Sequence, residues 1–493
     1  MAEEELTLEA VKTAINELLL IVATAFILLM QLGFALVENG SVRSKNSKNI
    51  LIKNLFDACA GALAFWLVGF GLAFGQTDED NQAGFAGNDK ELFASSGFKD
   101  AEDNYYVLWI FQFSFAATAS TIVSGSLAER TQLPAYMAFS ALMTGIIYPI
   151  VVSWTWGSGW LGDGTDDSRG FHDFAGTGIV HMVGGVAGFC GALVIGPRHG
   201  KEKNPRNRKD VTQTQEFKDL KGQQVAVAEF ESWVTDMAND NTFEQNSYPF
   251  IVYGTILLWV SWLFFNGGST GDMFQPRENN APKIMMVTIL SAVTGGLTAA
   301  FLKPLIMCTY SKKNRYDIGA MANGLLAGLV AITGVCDRCE PWSAFLIGLI
   351  GGVVYTLACK LMHALNVDDP IEAAQVHGFT GMWGCLATGF FDNQMGLVAS
   401  DAPDKGKFFG WQILGMLAIV AWVAVISLLY FFIMKKVGLL RVPLLEEVIG
   451  LDFAEMGSKV RVDMKIAEGI TRAQTLRFHK EKNLERSKSF QQD

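Results

Sequence analysis

Charged residues are scarce in this chain of 493 residues, where Asp, Glu, Lys and Arg together make up 18%. A soluble protein of this length usually has about 25% charged residues and divides into several domains. The chain also lacks a nucleophile–base pair, a nucleotide-binding loop and a full set of metal ligands. We therefore expect neither an enzyme nor a cofactor. We expect no nucleic acid partner either, although the net charge of −10 mostly reflects the predicted outer loops and says little about partners.

Cysteine is uncommon as well, and the seven cysteines are scattered along the chain. Cys336 and Cys339 form a single C-x-x-C pair in a loop that we predict to be outside the cell, where a small disulfide is compatible with the environment. A zinc site is disfavoured because the other two ligands are missing. A basic leader is absent too, since residues 1–6 are acidic, so we predict no secretory signal before the first hydrophobic segment.

Hydrophobic residues are abundant by contrast: they make up 50% of the chain, and 35 of them are Phe. They occur in runs of about 20 residues, the length that crosses a bilayer as a helix. The sequence therefore predicts an all-α polytopic membrane protein embedded in the lipid bilayer. We predict eleven transmembrane helices, at roughly 14–38, 52–75, 105–128, 133–156, 174–196, 247–266, 284–307, 317–334, 342–364, 371–391 and 410–434.

Loop charges alternate between these spans and predict the orientation, because cytosolic loops are enriched in Lys and Arg. Basic residues cluster at 43–53 and 198–209 and again in the tail, whereas the intervening loops are acidic, as at 78–80. This pattern places the N-terminus outside and the C-terminus in the cytosol. We predict a membrane domain at 1–436, a cytosolic insert at 198–246 with one short helix, and a cytosolic regulatory tail at 437–493.

Two histidines lie within predicted spans, each eight residues after an aspartate: Asp173…His181 and Asp369…His377. An ionisable side chain inside a membrane is costly and usually marks a pathway for an ion, a proton or a substrate. The same spacing in each half predicts a duplicated unit, an inverted 5+5 repeat, whose copies meet at one site. A haem or metal pair is the competing interpretation, but it needs further ligands at the same depth.

The two aspartates allow a second interpretation. Asp173 could cap its helix, favour a nearby cation, or do both. Asp369 precedes Pro370, and proline in the first turn is a helix-start signal, so a cap is favoured there. We expect the remaining histidines to be solvated; they are His172, His199, His363 and His479. We expect Glu129 and Arg130 to form a structural ion pair or a cap.

Six motifs occur in an order that resembles the ammonium transporter (Amt) family, on the Amt branch rather than among its Rhesus relatives. The motifs are Phe111-Gln112-x-x-Phe115-Ala116, Leu127-Ala128-Glu129-Arg130, Trp156-Gly-x-Gly, Asp173-Phe-Ala-Gly-x-x-x-Val-His181, Phe265-Asn266-x-Gly268-Ser269 and Val367-Asp368-Asp369-Pro370…Val376-His377-Gly378. The resemblance implies a homotrimer in the plasma membrane, with one pore through each subunit.

The resemblance also implies roles for individual residues. An outer site formed by Trp156, Phe115 and Ser269, supported by Asp173, would recruit ammonium. Phe115 and Phe265 would stack as a gate, and His181 and His377 would form a hydrogen-bonded pair in the pore. The expected function is transport of ammonium, deprotonated and conducted as ammonia; a passive Rhesus-like ammonia channel and an ammonium sensor signalling through its tail are the alternatives.

Three positions depart from the pattern of the family. Glu372 stands where the family usually has Asp, Met456 where His is usual, and Ala454 where plant members have a phosphorylatable Thr. If a cytosolic regulator acts at the tail, we therefore expect that it does not act through position 454.

Overall fold

The computed structural model describes residues 7–76, 84–101, 104–162, 170–203, 209–222, 234–239, 242–277, 279–309, 311 and 316–456. Eleven helices, labelled α1 to α11, account for most of these residues. They are α1 Leu8–Ser41, α2 Ser44–Phe74, α3 Tyr105–Ser126, α4 Leu133–Trp154, α5 Thr177–Ile195, α6 Tyr248–Gly268, α7 Ala281–Ile306, α8 Ile318–Ile332, α9 Pro341–Leu365, α10 Ala374–Phe379 continuing as Thr380–Phe391, and α11 Lys405–Lys436.

Nine of the helices in the described ranges are long and apolar enough to cross a bilayer. The other two, α8 and α10, coincide with the predicted spans at 317–334 and 371–391. Polar side chains determine several helix starts: Thr7 accepts a hydrogen bond from Ala10 N, Asn280 from Lys283 N, and Asp317 from Ala320 N. The all-helical architecture that the sequence predicted is therefore present.

Glycines let the helices approach closely at several crossings. The tightest lies between α5 and α10, where a Cβ added to Gly185 would be 2.0 Å from Gly378 N and 2.6 Å from the carbonyl carbon of His377. Backbone therefore meets backbone at this point, which only glycine permits. Because Gly185 is one turn after His181, the same crossing determines how far apart His181 and His377 lie.

Gly185→Ala should therefore separate α5 from α10, because the new methyl group has no space beside Gly378. Overpacking of this kind costs about 1–3 kcal/mol. We expect a lower melting temperature in detergent and a loss of transport. Gly406→Ala is the matched control, since a Cβ at Gly406 meets nothing within 4 Å. Equal melting temperatures for the two variants would contradict the proposed tight crossing.

Buried ion pairs connect the ends of the helices on the side of the tail. The Glu129 carboxylate accepts from Arg198 Nη1 at 2.8 Å and from the backbone N of Arg43 at 3.0 Å. Arg198 Nε also bonds Asp368 Oδ2 at 2.7 Å. Glu129 is therefore in a structural ion pair, as expected, but with Arg43 and Arg198. Arg130 instead donates to backbone carbonyls such as that of Gly196. Residues far apart in sequence supply the actual partners.

The two arginines also determine how Glu129 titrates. Although burial raises its pKa, the charges of Arg198 and Arg43 outweigh this and hold the pKa at about 2, against an ordinary value of 4.5. Since the folded-state pKa is depressed, this carboxylate stabilises the fold fully above pH 4.5 and loses its contribution as the pH falls toward 2. Glu129→Gln should lower the melting temperature at neutral pH and flatten its acid dependence in this window. An unchanged acid profile would contradict this assignment.

The insert and the tail pack against each other beneath the helices. The insert has a short 3₁₀ turn at Val211–Gln213 and a helix at Gln215–Gly222, and the tail has helices at Leu444–Ile449 and Leu451–Ala454. The apolar contact between the two segments includes Val211, Phe217, Leu445, Val448 and Ile449. One short helix was predicted in the insert, whereas its described residues contain two helical segments, at Gln215–Gly222 and at 234–239. The division into domains remains a prediction.

The tail also binds the start of α2. Its Asp452 carboxylate accepts hydrogen bonds from Lys48 N at 2.9 Å and Asn49 N at 2.8 Å, and so caps a helix to which it is not joined in sequence. Arg441 pairs with Glu447 at 2.9 Å. Residues 457–493 of the tail, including His479, lie outside the described residues.

Several polar residues are less exposed than the sequence suggested. His172 and His199 are each only 7% exposed, and His172 Nε2 lies 3.2 Å from Asp337 Oδ1, so the expectation of solvated side chains was wrong for both. Lys53, which we counted with the basic loop, is fully buried in α2. Cys336 and Cys339 are buried free thiols and do not form a disulfide.

Candidate functional site

Asp173 organises the start of α5. Its carboxylate accepts four backbone hydrogen bonds, from the N–H groups of Gly176, Thr177, Gly178 and Ile179, at 2.8–3.1 Å. The turn requires Gly176 to adopt a φ of +100°, a conformation that favours glycine. Of the two interpretations considered above, the cap is the one that accounts for these four contacts.

Asp173 also positions an aromatic residue. Its backbone carbonyl accepts a hydrogen bond from Trp156 Nε1 at 2.8 Å. Trp156 follows α4 and is partly exposed, whereas Asp173 precedes α5 and is 4% exposed. Loss of the Asp173 turn would therefore disturb both the start of α5 and the orientation of the Trp156 ring.

Both candidate pore histidines lie in π-helical turns. His181 is in the turn Thr177–Met182 that opens α5, and His377 is in the turn Ala374–Phe379 that opens α10. Asp369 occupies the place in the second half that Asp173 has in the first, since its Oδ2 accepts from Ala374 N at 2.8 Å. Isolated π turns are uncommon and occur frequently at functional sites.

Aromatic rings form a continuous stack beginning at Trp156. The Trp156 ring meets Phe115 edge-on, with centroids 5.8 Å apart, and Phe115 meets Phe265 at 4.4 Å. Phe115 and Phe265 are at most 1% exposed. Phe111 packs against Phe115 at 4.9 Å, on the same helix α3. The two phenylalanines that the resemblance assigned to a gate are therefore in contact.

The two histidines continue this stack. His181 lies 5.4 Å from Phe265 and 5.3 Å from His377, measured between ring centroids, and the two imidazole planes are inclined by 28°. Among the described residues, His181 Nδ1 and Nε2 and His377 Nδ1 have no hydrogen-bond partner. The rings are thus adjacent and face to face, whereas the resemblance led us to expect a hydrogen bond between them.

Ser269 is placed further from the histidines, at the end of α6. It lies one turn after Phe265, its hydroxyl donates to the Phe265 carbonyl at 2.7 Å, and the residue is partly exposed. Ser269 and Trp156 are both partly exposed, whereas His181 and His377 are buried.

Beyond His377, a small cavity of about 20 Å³ leads toward the tail side of the protein. It is lined mainly by apolar side chains, with Glu38 and Asn323 as further polar residues. Ile371 and Asn323 also line a wider vestibule of about 600 Å³. At this vestibule Glu372 forms an ion pair with Lys303 at 2.6 Å, so the residue that departs from the family pattern has a defined partner.

Sequence reasoning missed three residues around the histidines. Trp262 stacks on His181 at 4.6 Å, and its Nε1 donates to Thr333 Oγ1 at 2.9 Å. Phe34 lies 6.0 Å from His377. Glu38 faces the cavity beside His377. A carboxylate at the end of the predicted span 14–38 was the one available signal for Glu38, whereas Trp262 and Phe34 are indistinguishable in sequence from other apolar helix residues.

Comparison with known proteins identifies the family. A model of the Ammonium Transporter Family matches residues 18–217 and 231–460. The chain belongs to this family. It is therefore a multi-pass membrane protein of a family of transporters rather than an enzyme.

Relatives of this ammonium transporter family member are found in bacteria and plants. A putative ammonium transporter of Synechocystis is 35% identical over 460 residues, covering 92% of this chain and 91% of the relative. Ammonium transporter 1 member 2 of Arabidopsis thaliana is 35% identical over 442 residues, covering 85% and 78%.

The fold of this chain is similar to those of solved structures. A structure titled Sensor Amt Protein has a TM-score of 0.74 and 32% identity, covering 91% of this chain and 100% of that chain. Mep2 of Saccharomyces cerevisiae has a TM-score of 0.66 and 26% identity, with 87% of each chain covered.

Proposed function

We propose that this protein recruits ammonium at Trp156, Phe115 and Ser269, removes a proton from it, and conducts ammonia past His181 and His377. The observation that supports this most directly is the unbroken row of rings from Trp156 through Phe115 and Phe265 to the two histidines. Such a row offers a cation a favourable entrance and then a buried, narrow section in which a neutral molecule is preferred.

The energetics favour separation of the proton from the ammonia. Aromatic faces attract a cation by about 0.5–2 kcal/mol each, and the Ser269 hydroxyl can accept an N–H donor. These contributions are small beside the cost of moving a bare ion into a low-dielectric section, which is on the order of tens of kcal/mol. A neutral imidazole has one donor and one acceptor nitrogen and can relay a proton. Potassium has no proton to release, so it should be rejected.

We extend the proposal to the assembly and its setting. The eleven helices would cross the membrane as an inverted 5+5 repeat, with the N-terminus outside and the insert and tail in the cytosol. Three subunits would associate in the plasma membrane, each with its own pore. The contacts of Asp452 and Glu447 at the tail side make the tail a candidate binding site for a cytosolic regulator.

Two alternatives remain. A passive Rhesus-like channel would use the same row of rings and move ammonia without net charge. A sensor would bind ammonium and signal through the tail, and the similarity to the structure titled Sensor Amt Protein favours considering it. Both pore histidines are retained here, which supports transport over signalling.

The proposal can be tested with purified protein in vesicles, by adding ammonium or potassium while recording current and internal pH. A current with ammonium and none with potassium is expected for an ammonium transporter. Ammonium uptake with a rise in internal pH and no current would identify the passive channel. Neither signal, with ammonium binding still measurable, would reject transport in favour of the sensor.

A further inference from the structure

Three ionisable side chains outside the row of rings are buried on α1 and α2. Glu38 is 3% exposed, Asp57 is 1% exposed, and Lys53 is fully buried. Each lies within a helix that is long and apolar enough to cross the bilayer. Ionisable residues at such positions are costly to place and usually functional, so each needs an explanation from its surroundings.

Glu38 is the one of the three that faces the substrate path. It lines the cavity of about 20 Å³ on the tail side of His377, and His377 lines the same cavity. His377 Nδ1 has no hydrogen-bond partner within the described part of the chain. A cavity of this size holds about one water-sized molecule, which is the size of ammonia. Glu38 and His377 thus both line a space that fits the transported molecule.

The surroundings of Glu38 suit a carboxylate that exchanges protons. The Ser124 hydroxyl donates to Oε1, and Asn54 Nδ2 donates to Oε2 at 2.7 Å. Lys53 supplies a positive charge that acts on Glu38. Lys53 Nζ has no hydrogen-bond partner among the described residues and lies 5.5 Å from the centroid of the Tyr136 ring. Glu38 is therefore oriented by two donors and balanced by a nearby cation.

Asp57 has a different environment although it is equally buried. Its oxygens accept hydrogen bonds from Ser120 at 2.7 Å and Thr121 at 2.7 Å, and it is not among the residues that line the cavity. The two carboxylates thus resemble each other in burial and in their hydroxyl donors and differ in access to the path. Asp57 is consequently a matched control for Glu38.

We propose that Glu38 is the inner proton-exchange group of the pore, which returns the proton to ammonia after it has passed His377. This rests on the proposed transport of ammonium. A proton released by ammonium at the outer end reaches His181 and then His377. Protonated His377 transfers it to the Glu38 carboxylate, leaving a neutral imidazole and a carboxylic acid. The acid then protonates ammonia, which leaves as ammonium, and the Glu38 carboxylate is restored.

The two halves of this exchange balance, because one proton enters at His377 and one leaves on ammonium. Lys53 is a positioning residue here: it stabilises the ionised form of Glu38 between transfers and does not itself contact the substrate. Without Glu38, ammonia should still pass the histidines, but its proton should no longer accompany it to the inner side.

The test uses the full chain in vesicles and records three quantities: current, internal pH and total ammonium delivered. We expect Glu38→Gln to lower the charge moved per ammonium delivered by about 100-fold, the lower end of what a positioned acid–base group supplies. Internal pH should then rise, because ammonia arriving alone takes up protons inside. Glu38→Asp should restore part of the current, and Asp57→Asn should leave the ratio unchanged.

Lys53→Met is a second test variant in case Glu38→Gln fails to fold. It should also lower the charge moved per ammonium delivered, although the Glu38 carboxyl group is still present. If Glu38→Gln and Lys53→Met moved as much charge per ammonium delivered as the wild type, the proposed role of Glu38 would be overturned. The proposed transport function would be unaffected by that result. Wild-type delivery with a pH rise and no current would also overturn it. No delivery by the wild type would instead reject the proposed function itself.

Discussion

Replacing His181 and His377 together by alanine should abolish the selective ammonium current. The two imidazoles are the only side chains in the described row of rings that can carry a proton, and they lie 5.3 Å apart with Phe265 and Trp262 packed against His181. Alanine would remove the relay and widen the narrow section. Positioned acid–base groups commonly supply about 10²–10⁴-fold in rate, so we expect a loss in this range for proton-coupled flux.

The same variant should admit potassium, because the row would then discriminate by width alone. The measurement is current in vesicles with ammonium or potassium as the cation. His363→Ala is a suitable control, since His363 is exposed in the last turn of α9, away from the row. Wild-type current and selectivity in the double variant would exclude a role for the two histidines in transport.

Asp173→Ala should have the second-largest effect, and it should act on structure and transport together. The carboxylate accepts four backbone N–H groups at the start of α5, and alanine would leave all four unpaired in a buried turn. A single cap contributes about 0.5–2 kcal/mol, so the loss here should exceed the upper end of that range. The Trp156 indole would lose its fixed acceptor in the same change.

The expected result is a marked fall in melting temperature together with weaker ammonium recruitment. Asp317→Ala is the matched comparison, because Asp317 caps α8 through one hydrogen bond, from Ala320 N. Asp173→Asn should be intermediate, since an amide has only one oxygen to accept hydrogen bonds. If Asp173→Ala were no less stable than Asp317→Ala, the fourfold cap could not be important to the fold.

The sequence predicted the helices well because length and apolar composition decide whether a segment can cross a bilayer. It also brought out the Asp-x7-His units, since a charge inside an apolar run is visible without any knowledge of the fold. The stacking of Trp262 on His181 could not be predicted in this way. Trp262 is one aromatic residue among many in its helix, and only its contact with His181 in the folded protein distinguishes it.

Long-range pairing explains the main errors. His172 was expected in solvent, but its partner Asp337 lies 165 residues away. Glu129 was expected in a structural ion pair or a cap, and its actual partners, Arg43 and Arg198, lie 86 and 69 residues away. Lys53 was counted as a loop charge because the predicted span began at 52 and placed it at the edge. The sequence shows where a charged residue lies along the chain, but the residue with which it pairs depends on the fold.

The π turns at His181 and His377 have a consequence for how such a pore could evolve. A π turn holds one residue more than the α-helical turn it replaces, so it behaves as a tolerated insertion. Deleting that residue would restore regular winding and rotate one part of the helix by about 100° relative to the other. The histidine would then be directed away from its partner although no pore residue had been substituted. Loss or gain of conduction in related genes could thus arise from a single codon deletion or duplication.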